Sequence, residues 1–474
     1  MKTKSTLCLI AALAVWGCAK SEDTKTGPGS DAIGTTDTPS GDAVGTADPG
    51  PSGADPGGTT GDTKPPTDLA TPDTGADVPL ITPDTTTDAG TDAAPDDIAA
   101  TDTTDTGADT ATPVDPCAAQ GKLPKGCFAT PTAVTSLAQQ GLVLVGNANL
   151  DASFVAGQGF VTVVDAKKEE VVFRYATARE NPASFVVDGD TVYLVESGAT
   201  TYDVGAGAVV STGPGAVEFG PIGGDLANIK KVEIANDPKN PAVGAPAIAV
   251  LVKGMLYLGS FTGGILFKID VAKEMAVNDA TNPIWIDKTA GPHQTVPAVG
   301  PNGLIYVVDP NTDLLHVVDP STDAVDAVAT KAPYKLSNAV APASALVDRI
   351  AWVSSTLLVA KGAVSNALST FDLTAGTVTV GVAEIGGFSN GVSTLDGVFY
   401  VTQSKDGTIG AYDVVGKTFN KAAVTLAGGA GANPWALAVD KGASGPVGWV
   451  VNFNTHELVK VDLTSGKTLV TLAP

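Results

Sequence analysis

The stretch IYVVDPNTDLLHVVD, residues 305–319, decides the fold of this 474-residue chain. It holds two short runs of Val, Ile, Leu and Tyr, separated by a polar turn and closed by Asp319. Runs of this length, bounded by Asn, Asp and Pro, predict short β-strands and no long helix. Two stretches of the same design follow, FYVTQSKDGTIGAYD at residues 399–413 and WVVNFNTHELVKVD at residues 449–462.

The spacing between an aromatic residue and the closing aspartate recurs along the chain. Tyr257, Tyr306, Tyr400 and Trp449 each stand thirteen residues before an aspartate. Chance would not keep this spacing four times, so the chain contains an internal repeat. Apolar runs that end in aspartate occur seven times, at Asp165, Asp203, Asp270, Asp319, Asp372, Asp413 and Asp462.

Each repeat unit supplies four strands. A glycine turn precedes the aromatic strand, as in Lys253-Gly254 and Asp396-Gly397, and glycine provides the positive φ that hairpin turns need. A second turn follows the aspartate, for example from Asp462 to Gly466, and a further apolar run comes after it. Seven such units between about Thr130 and Pro474 predict an all-β, seven-bladed β-propeller of four-stranded antiparallel blades, since each blade buries its faces against its neighbours.

A pair of packed β-sandwiches is the alternative architecture, but it does not account for a sevenfold repeat. Two units are longer than the rest, between Gly205 and Ala245 and between Trp352 and Asp372. We interpret both as enlarged surface loops, where binding specificity often resides.

The stretches quoted above resemble YVTN-type propeller repeats, and the resemblance covers nearly all of the chain from residue 116 onward. It implies the fold but no chemistry, because propellers host unrelated functions. Propeller enzymes include lactonases, virginiamycin-type lyases and quinoprotein dehydrogenases, and none of their catalytic motifs can be placed here residue by residue.

The N-terminus has the layout of an export signal, with Lys2 and Lys4 ahead of an apolar run from Leu7 to Trp16. This run of about ten apolar residues is half as long as a membrane-spanning helix, which favours a cleaved signal over a permanent transmembrane anchor. Val15-Trp16-Gly17-Cys18 resembles a bacterial lipobox, which implies cleavage after residue 17 and a lipid anchor on Cys18. An ordinary signal peptide with a chance cysteine is the alternative.

Residues 18–115 form a second region of distinct composition, rich in Asp, Thr, Pro, Gly and Ala and without any aromatic residue. Such a stretch cannot build a core, so we predict a disordered tether between the anchor at Cys18 and a propeller domain at residues 116–474. About twenty acidic residues and three lysines put most of the net charge of −23 in this tether. The aspartates between Asp92 and Asp109 match no calcium loop, so we predict no cofactor and leave only calcium open.

The remaining cysteines, Cys117 and Cys127, are expected to pair, because an exported compartment permits disulfides. The resemblance to a lipobox implies a bacterial cell envelope. No aspartate follows Cys18, and by resemblance to enterobacterial lipoproteins this implies the outer membrane, with the domain periplasmic or surface-exposed. An acidic chain is repelled by phosphate backbones, which excludes nucleic acid as a partner.

Candidate ligand-binding residues stand in the segments that lead into the innermost strands, which gather around one mouth of a propeller channel. They are mostly asparagines, and Trp435 is the one aromatic residue beside them. The competing interpretation is that Asn-Pro pairs only shape a turn before a strand. The set comprises Asn181, His293, Asn338, Asn390, Asn433 and Trp435.

No partnered cysteine nucleophile and no phosphate-binding loop stand out in the sequence. The leading interpretation is therefore a non-catalytic binding or scaffold module for a protein or a glycan. One alternative is an enzyme of the lactonase or lyase kind with a metal in the channel. Another is a lipoprotein of outer-membrane assembly.

Overall fold

The computed structural model describes residues 115–152, 154–203, 208–221, 229–237, 243–277, 282–287, 294–310, 312–327, 331–336, 349–361 and 366–474. The predicted export signal, the lipid anchor at Cys18 and the tether lie outside these residues. In the described part of the chain, no helix is both long and apolar enough to cross a bilayer.

The described strands form seven antiparallel sheets of four or five strands and one two-stranded hairpin, and the seven larger sheets confirm the predicted seven-bladed propeller. Blade 1 consists of β1 (Pro131–Leu137), β2 (Leu142–Asn147), β3 (Phe160–Asp165) and β4 (Glu170–Ala176). Blade 2 consists of β5 (Pro182–Asp188), β6 (Thr191–Glu196), β9 (Gly215–Pro221) and β10 (Lys230–Ile234), with an extra hairpin of β7 (Thr200–Asp203) and β8 (Ala208–Ser211).

Blades 3 and 4 each carry a fifth short strand that pairs with their third. Blade 3 consists of β11 (Pro246–Val252), β12 (Met255–Ser260), β13 (Ile265–Asp270), β14 (Met275–Ala276) and β15 (Ile284–Trp285). Blade 4 consists of β16 (Val296–Val299), β17 (Ile305–Asp309), β18 (Leu314–Asp319), β19 (Ala324–Val325) and β20 (Tyr334–Lys335).

The last three blades are regular four-stranded meanders. Blade 5 consists of β21 (Arg349–Val353), β22 (Thr356–Lys361), β23 (Ala367–Asp372) and β24 (Thr377–Glu384). Blade 6 consists of β25 (Val392–Leu395), β26 (Val398–Gln403), β27 (Thr408–Asp413) and β28 (Thr418–Thr425). A 3-10 turn, Gly429–Gly431, precedes blade 7, which consists of β29 (Pro434–Gly442), β30 (Gly445–Asn452), β31 (Glu457–Asp462) and β32 (Lys467–Leu472).

The first strands of successive blades touch one another in a closed ring, so they surround the central axis. The second strands are almost wholly buried, because a neighbouring blade covers each of their faces. The fourth strands alternate between exposed and partly buried residues, as expected at the rim. The core therefore consists of apolar layers between blades, such as the one that joins Tyr306 of blade 4 to Leu357 of blade 5.

Six of the seven repeated aspartates close the third strand of a blade, and their carboxylates accept hydrogen bonds from the following turn. Asp165 accepts the amides of Lys168 and Lys167 at 2.9 Å each, and these bonds hold the pKa of its carboxyl below the ordinary value. These aspartates therefore cap the backbone amides of the turn that follows each third strand.

The seventh, Asp203, was wrongly aligned with the others. It ends β7 in the extra hairpin, whereas the third strand of blade 2 is β9 and ends at Pro221. The predicted enlargement between Trp352 and Asp372 is also wrong, because Trp352 lies on the first strand of its blade. Its ring packs edge-on against Tyr306 of blade 4, with the ring centroids 5.0 Å apart.

The ring closes between blades 1 and 7 without any exchange of strands, since each of these blades is continuous in sequence. Phe128 and Val145 pack against Trp449 and Leu458 across this seam. Lys460 of blade 7 adds an ion pair to Glu169 at 2.7 Å. Side-chain packing and ionic contacts thus close the ring.

A short loop before β1 covers the same seam. Cys117 and Cys127 are joined in a disulfide with Cα atoms 4.7 Å apart. Arg174 on β4 donates to four carbonyl groups of this loop, those of Pro116, Ala118, Pro124 and Gly126. The guanidinium group therefore fixes the loop to the rim of blade 1.

Candidate functional site

The turns that lead into the first strands have a common backbone geometry in four blades. A residue with left-handed φ, between 49° and 55°, stands directly before a proline. Its carbonyl accepts the amide of the residue that follows the second strand, at 2.7–3.0 Å. The four pairs are Thr130-Pro131, Asn181-Pro182, Ala245-Pro246 and Asn433-Pro434.

The sequence prediction included two of these four turns, because Asn is the residue that best tolerates a left-handed φ after glycine. Thr130 and Ala245 were missed, since neither residue type indicates such a turn. The amide of Asn181 donates to the carbonyl of Gly198 at 2.8 Å, and that of Asn433 donates to Asn454 Oδ1 at 3.3 Å. Both asparagines thus shape their turns, as the competing interpretation holds.

A cavity of about 120 Å³ opens where these turns meet. Its wall is built from two positions that repeat in blades 1, 2, 3 and 7. The residue after the proline contributes Thr132, Ala183, Ala247 and Trp435. The residue after the second strand contributes Ala148, Ser197, Phe261 and Phe453.

The cavity has one aromatic side and one side of small residues. Trp435 and Phe453 pack together with ring centroids 4.8 Å apart, whereas blades 1 and 2 present Thr132 and Ala183. Blades 1, 2 and 3 have small residues at the position where blade 7 has Trp435, so the space next to the indole stays open. A cavity of about 150 Å³ holds one benzene ring, so this one has room for a single ring or side chain.

The predicted residues divide into three groups. Asn181 and Trp435 line the cavity. Asn390 and Asn433 are buried beside it and bonded within the fold, Asn390 through its amide to Ser404 Oγ at 2.8 Å. His293 and Asn338 lie outside the described residues.

Gln294 follows the predicted His293 at the entry to the first strand of blade 4. It is only 7% exposed and lines the cavity from blade 4. Among the described residues, neither Oε1 nor Nε2 of its side chain has a hydrogen-bond partner. A buried amide without partners costs about 1–3 kcal/mol of stability. Its position next to His293 in sequence was the only signal available.

Arg349 supplies the one charged side chain among the lining residues of this cavity. Its Nε donates to the carbonyl of Asn390 at 2.7 Å, and it has further partners. No Asp or Glu is among the lining residues. The wall therefore combines apolar residues with two carboxamide residues, three hydroxyl residues and one engaged guanidinium group.

A buried polar residue ends the second strand in at least six blades. The members of this set are Asn147, Glu196, Ser260, Asp309, Gln403 and Asn452. Their side chains tie neighbouring segments of the same blade; Asn147 Oδ1, for instance, accepts the amide of Ala129 at 3.0 Å. Only blades 2 and 4 place a carboxyl group here.

In blade 2 this carboxyl meets a second one. Glu196 faces Ala216 in the register of β6 and β9 while Glu218 faces Leu194, which makes the two glutamates diagonal neighbours on one face. Burial and the nearby Glu218 raise the pKa of Glu196 to about 10, and burial also raises the pKa of Glu218. Two adjacent buried carboxyl groups share a proton, so one of them is neutral.

A histidine–aspartate pair lies in blade 4, away from the cavity. His316 Nδ1 and Asp326 Oδ2 are 2.8 Å apart, and Asp326 Oδ1 accepts the amide of Val317. His456 lies in a turn of blade 7, where burial lowers the pKa of its imidazole. In the described part of the chain, no three His, Cys, Asp or Glu side chains stand close enough to hold a metal ion.

No protein-family model matches the chain, and no curated protein matches its sequence. Solved structures do resemble it. A streptogramin B lyase is 12% identical with a TM-score of 0.48, over 69% of this chain and 92% of that one. A β-propeller domain from Myceliophteria thermophila is 11% identical with a TM-score of 0.45, over 73% and 97%.

A periplasmic gluconolactonase from Pseudomonas aeruginosa is 14% identical with a TM-score of 0.41, over 74% of this chain and 87% of that one. At such low identities and scores, what these proteins bind or catalyse says nothing about this chain. The seven sheets of the structure itself establish the fold as a seven-bladed β-propeller.

Proposed function

We propose that this chain is a non-catalytic binding module of a bacterial cell envelope, which takes one ring-sized group of a protein or glycan partner into the cavity at the channel mouth. The cavity itself carries the proposal. It combines an aromatic side and a side of small residues with polar residues such as Ser197 and Thr132 in its wall. Ligand sites commonly join apolar walls with a few polar groups.

The size of the cavity limits what the partner inserts. Pockets for drug-sized ligands have about 300–1,000 Å³, well above the 120 Å³ found here. A partner would therefore contribute one side chain or one sugar ring to the cavity and rest its remaining surface on the surrounding turns. The seven blades form a rigid frame for those turns.

The envelope location and the membrane anchor are supported by the sequence of residues 1–18. The assignment of the repeats to the YVTN type is supported by the stretches at residues 305–319, 399–413 and 449–462. Mass spectrometry of the purified full chain tests the anchor, since a lipidated Cys18 shifts the N-terminal mass by the acyl chains. Replacement Cys18→Ala should release the protein from the membrane fraction. Unchanged membrane association of this variant would contradict the anchor.

A plugged cavity tests the binding role. In blade 2, Ala183→Trp introduces the residue that blade 7 carries at the same position, so the new indole fills the cavity from the opposite wall. Ligand-observed NMR with the full chain in detergent micelles would use phenol and a panel of methyl pyranosides as probes. We expect the plugged variant to lose at least ten-fold in affinity for any probe that binds the wild type.

The matched control is Val415→Trp, which adds the same side chain to an exposed turn of blade 6. This variant should bind the probes like the wild type. Equal binding by the plugged variant and the control would place the ligand elsewhere and contradict the proposal.

A further inference from the structure

Aromatic rings are over-represented in the wall of the cavity at the channel mouth. Trp435 and Phe453 contribute two rings from blade 7, and Phe261 contributes a third from blade 3. Phe, Trp and Tyr make up 5% of the whole chain, but they supply three of the fifteen lining residues. Since rings that pack against rings gain free energy beyond the area that they bury, this wall favours a ring over an aliphatic group of equal size.

We infer that the group held in the cavity is the aromatic side chain of a phenylalanine or tyrosine from a protein partner. This inference rests on the proposed binding role of the cavity and narrows it from protein or glycan to protein. The volume of about 120 Å³ has room for a single ring. Aromatic side chains are common anchors of protein–protein interfaces, where a ring fills a pocket and the surrounding contacts exclude water.

The polar groups of the wall are bonded within the fold, which disfavours a sugar ring. Thr132 Oγ1 donates to the carbonyl of Pro182 at 2.6 Å. Ser197 Oγ donates to the carbonyl of Pro246 at 2.7 Å, and the side-chain amide of Asn181 also donates to a backbone carbonyl. A sugar ring carries several hydroxyl groups that lose water on entry, and it would find these donors occupied. An aromatic ring needs no such partners.

The charge of the wall selects against a cationic side chain. Arg349 is the one charged residue among the described lining residues, and none of those residues is Asp or Glu. An ammonium group in the cavity would lose its water without meeting a carboxylate, and the guanidinium group would repel it. The attraction of a cation to aromatic faces does not make up for this loss. The wall therefore complements a neutral ring.

A matched series of amino-acid derivatives tests the inference. The N-acetyl amides of phenylalanine, tyrosine, leucine and lysine share one backbone and differ only in the side chain that they offer to the cavity. In ligand-observed NMR with the wild-type full chain, we expect the phenylalanine derivative to bind roughly 2- to 12-fold more tightly than the leucine derivative, and the tyrosine derivative to bind like it. The lysine derivative should bind at least ten-fold more weakly than the phenylalanine derivative.

Two variants test whether the rings of the wall cause this preference. Trp435→Leu removes the indole of blade 7, and Phe261→Leu removes the ring of blade 3. Each should lower the ratio of the phenylalanine and leucine affinities at least two-fold. Trp285→Leu, at a half-buried tryptophan of blade 3 outside the set of lining residues, is the matched control and should leave the ratio unchanged. Partial unfolding weakens both derivatives alike, so it does not change the ratio. A ratio that neither cavity variant lowers would overturn the inference.

The binding outcomes separate this inference from the broader proposal. If methyl pyranosides bind the wild type and the phenylalanine and tyrosine derivatives do not, the cavity is a glycan site and the side-chain assignment is wrong. If the lysine derivative binds as tightly as the phenylalanine derivative, the wall does not select a neutral ring and the assignment is overturned. If no probe of either kind binds the wild type, both the assignment and the binding role of the cavity fail.

Discussion

Blades 2 and 7 begin alike and differ at the end of their second strands. Both start from an Asn-Pro turn with left-handed φ at the asparagine, and both contribute to the wall of the cavity. At the end of the second strand, blade 7 has Asn452, a neutral amide at any pH, whereas blade 2 has Glu196 beside Glu218. The same position of the repeat therefore carries a group that titrates in blade 2 and a group that does not titrate in blade 7.

The largest expected effect is a loss of stability as the pH rises. Glu196 keeps its proton in the folded protein up to about pH 10, whereas the unfolded chain releases it near the ordinary pKa of 4.5. Folding is therefore favoured most below pH 4.5, and the stabilisation is lost as the pH rises from there toward 10. The free energy of unfolding should fall by up to about 1.4 kcal/mol per pH unit in this window.

Chemical denaturation at pH 5, 7 and 9 of the wild type and of Glu196→Gln measures this effect. Subtracting the free energies of unfolding of the two proteins at each pH removes the contribution of groups that titrate in both. We expect the wild type to lose stability relative to the variant with each step in pH. Parallel pH profiles would mean that Glu196 is ionised in the folded protein.

Blade 7 can be made to resemble blade 2 by Asn452→Asp. The amide of Asn452 donates to Glu457 Oε2 at 3.3 Å, so the substitution puts a buried carboxyl next to an existing one. We expect a loss of about 1–3 kcal/mol at pH 7, which becomes smaller at pH 5 where the new carboxyl takes up a proton. Denaturation of Asn420→Asp, an exposed site in blade 6, serves as the control and should show no such loss.

Within blade 2, Glu218→Gln tests how much Glu218 contributes to the raised pKa of Glu196. Burial is the main cause of the raised pKa of Glu196, and Glu218 comes second. Removing the second charge should lower the pKa of Glu196 but leave it above the ordinary value. The fall in stability with rising pH should therefore end at a lower pH in this variant than in the wild type. Chemical denaturation between pH 6 and 10 measures this end point. An unchanged end point would mean that burial alone raises the pKa of Glu196.

The smallest expected effect concerns the turns that the two blades share. Glycine at Asn181 or Asn433 keeps the left-handed φ and removes only the side-chain hydrogen bond. Asn181→Gly loses a bond of 2.8 Å to a carbonyl, and Asn433→Gly loses one of 3.3 Å to a side chain. We expect losses of about 1 kcal/mol or less, larger for Asn181, in thermal unfolding. A larger loss at Asn433 would mean that the side-chain hydrogen bonds do not determine the relative stability of the two turns.

The fold could be predicted because the repeat is visible in the sequence at the third strands. Six aspartates close those strands, and the thirteen-residue spacing links the second strand to the third in blades 3, 4, 6 and 7. Blade 2 departs from this pattern because a hairpin that ends in Asp203 precedes its third strand, which itself ends in Pro221. A pattern based on apolar runs cannot distinguish an inserted strand from the one it displaces.

The candidate site could be predicted only in part. Asn181 and Trp435 stand out by residue type, and the structure places both at the cavity. Ala183 and Ala247 carry no chemical signal, and their role follows from their position after a proline in a repeated turn. The Glu196–Glu218 pair depends on the register of β6 and β9 across the inserted hairpin, which the sequence does not specify.

The loop held by Arg174 has a mechanical consequence. The chain enters the propeller at Asp115, and a pull on the segment before it reaches the Cys117–Cys127 loop first. The covalent crosslink and the four carbonyl contacts of Arg174 share that load with β4, the outer strand of blade 1. Tension along the chain therefore acts on the rim of blade 1. Less of this force reaches β1, which lies beside the cavity and would otherwise be pulled away from its blade.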